Sequence, residues 1–173
     1  MKMIITRRQP MKVVGMKIIT EPDADAVANL WNQFIHRMNE LEKTAVPECS
    51  LGICTLLKDG KIEYLAARVV KDDSIIPDGM VFTELPEQDV AVFTHVGSME
   101  NLAETYDYIY NKWLPDSEFE IMTAPEIEWY DKRFKYNDPE SQMDIHIPVK
   151  PIDIDTELED LKQVFQNFKK EER

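Results

Sequence analysis

The chain runs through the same order of local patterns twice, and no other feature narrows its possible folds as much. Between about residues 11 and 70, a β-branched run (Met11 to Thr20) leads into a segment of helical period, then into two apolar runs around Asp59-Gly60. Between about 80 and 150, the run Val90 to Val96 leads into a second helical segment and then into two alternating runs. Leu30-Trp31-Asn32-Gln33-Phe34-Ile35 in the first helix is answered by Ile109-Tyr110-Asn111-Lys112-Trp113-Leu114 in the second. Identity between the halves is low, so the repeat is one of order and period. Each half reads as β-α-β-β, with one apolar face that it cannot cover alone. Two such units joined edge to edge predict an α+β fold: one antiparallel sheet, both helices on one face, and a ligand cleft between the halves.

The individual elements follow from spacing and punctuation. Gly15 within the first run marks a bulge or a close backbone approach. Thr20-Glu21-Pro22-Asp23 supplies a helix start, after which Val27, Leu30, Trp31, Phe34, Ile35, Met38 and Leu41 recur at helical spacing. Asp59-Gly60 between Leu51–Leu57 and Ile62–Val70 is a hairpin signal. Residues 71–79, with Pro77 and Asp78-Gly79, separate the halves. Ser98 is placed to cap the second helix, with Leu102, Tyr106, Ile109, Tyr110 and Trp113 on one face and Pro115 at its end. Residues 1–10 read as an edge segment leading in.

The closing hairpin carries the chemistry. Ile127 and Trp129 fall on one side of their strand, and Glu126, Glu128 and Tyr130 on the other. Met143, Ile145, Ile147 and Val149 oppose Asp144, His146 and Pro148 on the next strand, with Asn137-Asp138-Pro139 as a turn signal between them. Glu128 thus stands among Ile127, Trp129, Tyr130 and Phe134, where burial makes its charge costly unless something pairs with it. Trp31 and Phe34 from the first helix, Tyr110 and Trp113 from the second, and Tyr64 and Phe93 from other strands complete a candidate aromatic box with Glu128 as an acidic floor. Aromatic faces attract cations and a desolvated carboxylate rejects anions, so such a box suits flat, lipophilic cations. Two plainer readings compete: the aromatic stripe packs only the core, and Glu128 pairs with a Lys or Arg on an outward face.

Glu128-Trp129-Tyr130, Met143-Asp144-Ile145-His146-Ile147-Pro148-Val149-Lys150 and Val92-Phe93-Thr94-His95-Val96-Gly97 together resemble the GyrI-like small-molecule-binding family. That family includes the effector-binding domains of AraC-type and MerR-type multidrug regulators. The resemblance spans about Met11 to Lys150, so residues 1–150 are expected to form one such domain. It implies that Glu128 matches the glutamate that meets cationic drugs in those regulators. It also implies that His95 belongs to a His-x-Gly turn with a fixed hydrogen bond. Some relatives are hydrolases of electrophilic compounds, in which Glu128 would act on a bound water, and others are gyrase-inhibitory interaction modules.

Charge and composition set the remaining bounds. A net charge of −13 argues against unaided nucleic-acid binding. With ten residues ahead of the domain, too few for a helix-turn-helix, the chain reads as a stand-alone effector-binding protein. Cys49 and Cys54 make a poor zinc site and read as reduced thiols, and His36, His95 and His146 are scattered, so no metal or cofactor is expected. No run approaches a membrane span and no cleavable leader is evident, which reads as cytoplasmic. Residues 151–173 form a separate extension, with Leu158, Leu161, Val164, Phe165 and Phe168 at helical spacing, which would pack on its own domain or dock a second copy or a protein partner.

Overall fold

The computed structural model describes residues 1–136 and 138–153. The expected C-terminal helix, with its docking role, lies outside the described residues. The strands are β1 (Lys2–Arg8), β2 (Met11–Thr20), β3 (Ser50–Leu56), β4 (Ile62–Val69), β5 (Val81–Leu85), β6 (Gln88–Val96), β7 (Phe119–Ile121), β8 (Glu126–Tyr130) and β9 (Gln142–Pro151). The helices are α1 (Ala24–Arg37) and α2 (Leu102–Tyr108). The strands form one antiparallel sheet in the order β1-β6-β9-β8-β3-β4-β2-β5, with β7 also pairing to β9. The two expected units, β2-β4-β3 and β8-β9-β6, therefore meet edge to edge at β3 and β8.

Two short connections force this sheet to roll up. β1 and β2 are six strand positions apart, as are β5 and β6, so a flat sheet would separate each pair by about 29 Å. Yet only Gln9-Pro10 joins β1 to β2 and only Pro86-Glu87 joins β5 to β6, and such a link reaches about 10 Å. The sheet curls until its two ends meet. Its inner face is a core of Val13, Leu51, Ile53, Leu65, Ala67, Val69, Leu85 and Ile127.

Both helices lie on the opposite, outer face. Strand pairing carries that face across the seam: Tyr64 opposes Cys54, Ala66 opposes Gly52, Gly52 opposes Glu128, Glu128 opposes Ile145, and Ile145 opposes Phe93. α1 packs Leu30 and Phe34 over Val14, Tyr64 and Ala66. α2 and the turn that follows it cover Ala91, Phe93, Met143, Ile145 and Ile147 with Ile109.

Several local expectations are met with a physical reason. The Asp23 side chain accepts the Asp25 N–H at the start of α1. Gly60 takes φ +86° in the β3–β4 hairpin, a conformation that suits glycine. Gly15 sits in a regular ladder, and a Cβ there would run into the Ala66 carbonyl oxygen, so it marks a close backbone approach. His95 is buried; its Nε2 donates to the Ser98 carbonyl at 3.2 Å, which leaves Nδ1 to accept from the Thr105 hydroxyl at 2.7 Å.

Three details differ. Ile35, expected on the apolar face of α1, is 54% exposed, because it stands about 100° around the helix from Phe34 and the buried stripe reduces to Leu30 and Phe34. Ser98 makes no side-chain cap; the second helix opens through a 3-10 turn at Met99–Asn101. After Tyr108 it widens into a π turn, Ile109–Trp113, with Leu114 N–H reaching back to the Ile109 carbonyl at 2.9 Å.

Candidate functional site

At the seam, β3 and β8 present small and acidic residues to the outer face between the two helices. Gly52 and Cys54 face outward on β3; Glu126, Glu128 and Tyr130 do so on β8. Gly52 leaves room for what crosses it. A methyl group there would collide with the Tyr64 hydroxyl and lie 2.7 Å from Glu128 Oε2. The Tyr64 hydroxyl instead donates to Glu128 Oε2 at 2.6 Å, and Trp31 Nε1 of α1 donates to the Tyr64 oxygen at 3.1 Å. Tyr130 donates to the same carboxylate oxygen at 2.9 Å, and Tyr106 of α2 reaches Oε1 at 3.3 Å. The Tyr110 hydroxyl donates to Glu126.

These groups form a half-buried strip rather than a sealed core. Trp31 stands edge-on to Tyr130 with centroids 5.2 Å apart, and Tyr106 and Tyr110 stack at 6.3 Å. Burial, followed by the charge of Glu128, pushes the Tyr64, Tyr106 and Tyr130 hydroxyls well above their ordinary range. They remain neutral donors at any physiological pH. Burial also raises Glu126, and the neighbouring Glu128 adds to it, against the lowering effect of the Tyr110 bond. The Cys54 thiol beside them is pushed up to about 11 by burial and by the two carboxylates.

Among the described residues, the ion pairs do not involve Glu126 or Glu128. The outward-facing Lys or Arg pairing considered for Glu128 is not what the structure shows. Its partners are hydroxyls, which offer partial charge but no full countercharge.

Of the residues singled out in the sequence, Glu128, Trp31 and Tyr64 form one bonded group, and Tyr110 borders it through Glu126. Phe34 and Phe93 are fully buried under the helices. Trp113 packs edge-on against Phe93 at 4.9 Å and stacks on Phe119, away from the carboxylates. Sequence reasoning missed Tyr106, Tyr130, Glu126 and Gly52. Alternation along β8 already put Glu126 and Tyr130 beside Glu128, and Tyr106 lies four residues, one turn, before Tyr110. Gly52 left no signal, because its role depends on which side chain crosses it.

Comparison with known proteins places this geometry. Residues 4–149 match the model of the family described as Cass2, integron-associated effector binding protein. The transcriptional regulator BrlR of Pseudomonas aeruginosa is 36% identical over 146 residues, which cover 84% of this chain and 54% of BrlR. The chain thus spans about half the length of that relative. Among solved structures, SAV2435 bound to tetraphenylphosphonium superposes with a TM-score of 0.70 at 18% identity, covering 87% of this chain and 94% of that one. The EcmrR C-terminal domain gives 0.68 at 15% identity, covering 87% and 98%. The Vibrio cholerae integron cassette protein Cass2 gives 0.61 at 15% identity, covering 86% and 95%. At such identities the structures share the fold, whereas the family match rests on sequence across most of the chain. The chain belongs to the Cass2 family of integron-associated effector binding proteins, within the GyrI-like group that its hairpin motifs resemble.

Proposed function

We propose that the protein binds small lipophilic cations at the β3–β8 seam and acts as a sensor or sequestering module. One observation carries this reading: two carboxylates, Glu126 and Glu128, share a half-buried aromatic strip whose hydrogen bonds come from neutral groups. A unit cation about 5 Å from one carboxylate gains roughly 3 kcal/mol at an effective dielectric near 20. Ring faces of Trp31, Tyr106 and Tyr110 add a cation–π contribution. That SAV2435 shares the fold and has been seen with tetraphenylphosphonium supports the same ligand class here. A net charge of −13 supports action through a bound effector over direct contact with nucleic acid. Persistently neutral tyrosines suit holding a ligand better than proton transfer, which favours binding over hydrolysis.

The test is calorimetric titration with tetraphenylphosphonium and with neutral triphenylphosphine oxide. Glu128→Gln should weaken the cation by about tenfold to a hundredfold and leave the neutral compound nearly unchanged. Equal affinity of both compounds for the wild type would refute the electrostatic basis of the site.

A further inference from the structure

The inner face of the rolled sheet holds a second group of polar side chains that the seam does not use. Arg8, at the end of β1, is only 7% exposed. Its Nη2 donates to the Pro86 carbonyl at 3.2 Å, while Nε and Nη1 are buried without a hydrogen-bond partner. Among the described residues, Arg8 makes no ion pair. His146 of β9 faces the same way, stacked on Trp129 at 5.6 Å with an interplanar angle of 3°, and its Nδ1 is also buried and unpartnered. Arg8, Trp129 and His146 line an open-mouthed cavity of about 390 Å³ together with Met11, Val46 and Val69. Asp144 borders it too, but its carboxylate is taken by Arg133 at 2.5 Å and by the Thr94 hydroxyl at 2.8 Å.

An unpaired buried guanidinium is costly, and buried donors normally find acceptors. Arginine cannot escape by deprotonating, although burial does lower its affinity for the proton. His146 does escape: burial, then the charge of Arg8, brings it down to about 4 against the raising effect of Asp144, so it is neutral at pH 7. The group therefore carries one cation without a direct ion pair beside a flat aromatic stack and an apolar wall, with the Asp144 carboxylate at its border engaged by Arg133.

We propose that this inner cavity is a second ligand site, opposite in charge preference to the seam, which accepts a small organic carboxylate: its anionic end meets Arg8 and its apolar body lies against Trp129, Met11, Val46 and Val69. The unpartnered atoms of Arg8 are closed off from solvent, and Arg8 is one of the residues that line the cavity. To reach the carboxylate the guanidinium would have to turn, and the side-chain hydrogen bond it would give up is the one to Pro86. The volume suits a ligand at the lower end of the usual pocket range, about 300–1,000 Å³.

The experiment is calorimetric titration of the full chain with benzoate, with neutral benzamide and cationic benzylammonium as controls. Variants are Arg8→Met, which keeps the apolar stem, and Glu128→Gln, which alters only the seam. Removing a buried unpaired charge should not harm folding, and circular dichroism of Arg8→Met checks this directly. Benzoate should bind in preference to both controls, weaken by about tenfold or more in Arg8→Met, and be unaffected by Glu128→Gln. In a second readout independent of folding, benzoate should shift the imidazole resonances of His146, and this shift should vanish in Arg8→Met. Absence of benzoate binding at millimolar concentration, equal binding by Arg8→Met, or loss only in Glu128→Gln would each overturn the proposal, leaving ordered water as the partner of Arg8.

Discussion

Gly52→Ala gives the most direct test of how the seam is built. The Tyr64 hydroxyl lies over Gly52 well inside contact distance of a new Cβ, with the Tyr64 Cζ at 2.9 Å and Glu128 Oε2 at 2.7 Å. Ordinary contact would require the Tyr64 ring to withdraw by roughly an ångström or more. That ring is 4% exposed and packed under α1, so it has little room to move. Withdrawal breaks the 2.6 Å bond to Glu128 and strains the 3.1 Å bond from Trp31. Loss of a bond to a charged acceptor, partly offset because Tyr130 and Tyr106 still reach Glu128, together with overpacking, should cost about 2–4 kcal/mol. The melting temperature should fall by about 5–15 °C, and tetraphenylphosphonium affinity should change with it. The decisive assay is a double-mutant cycle by denaturant unfolding. In a Tyr64→Phe background the struck oxygen is gone, so Gly52→Ala should cost clearly less, and the two changes should be non-additive. Additive costs, or a Gly52→Ala protein with unchanged stability and ligand affinity, would refute the claim that Gly52 exists to let Tyr64 reach Glu128.

The acidic pair should also be visible in pH dependence. Glu126 is raised above its unfolded value of about 4.5 by burial and by Glu128, so the folded state holds the extra proton. Stability from this group is then full below pH 4.5 and is lost as pH rises through the folded value, whereas cation affinity rises over the same range. Glu126→Gln, which can still accept from Tyr110, should flatten both slopes; slopes that persist would assign them to other groups. Gly15→Ala, whose methyl would strike the Ala66 carbonyl between two paired strands, should destabilise by about 3 kcal/mol or more, and near wild-type stability by denaturant unfolding would contradict the ladder as described.

The order of the main elements, the residues that share a face of each strand, and the acidic character of the hairpin are properties of the sequence alone. Alternation has a period of two and helices one of 3.6, so Glu128 shares a face with Glu126 and Tyr130 whatever the rest of the chain does. The repeat implied edge-to-edge joining, because a β-α-β-β unit leaves an open edge and a single covered face. Only the tertiary structure decided which strands meet at the seam, and hence that Tyr64 reaches Glu128 across Gly52 from 64 residues away. Periodicity likewise could not separate Trp31, which bonds Tyr64, from Phe34, which is fully buried under the same helix. Nor could it foresee the curl, which follows from two-residue links between strands that pair at opposite ends of the sheet. That curl, a consequence of pairing partners distant in sequence, is what buries Arg8 against His146 and gives the fold its second, inner face.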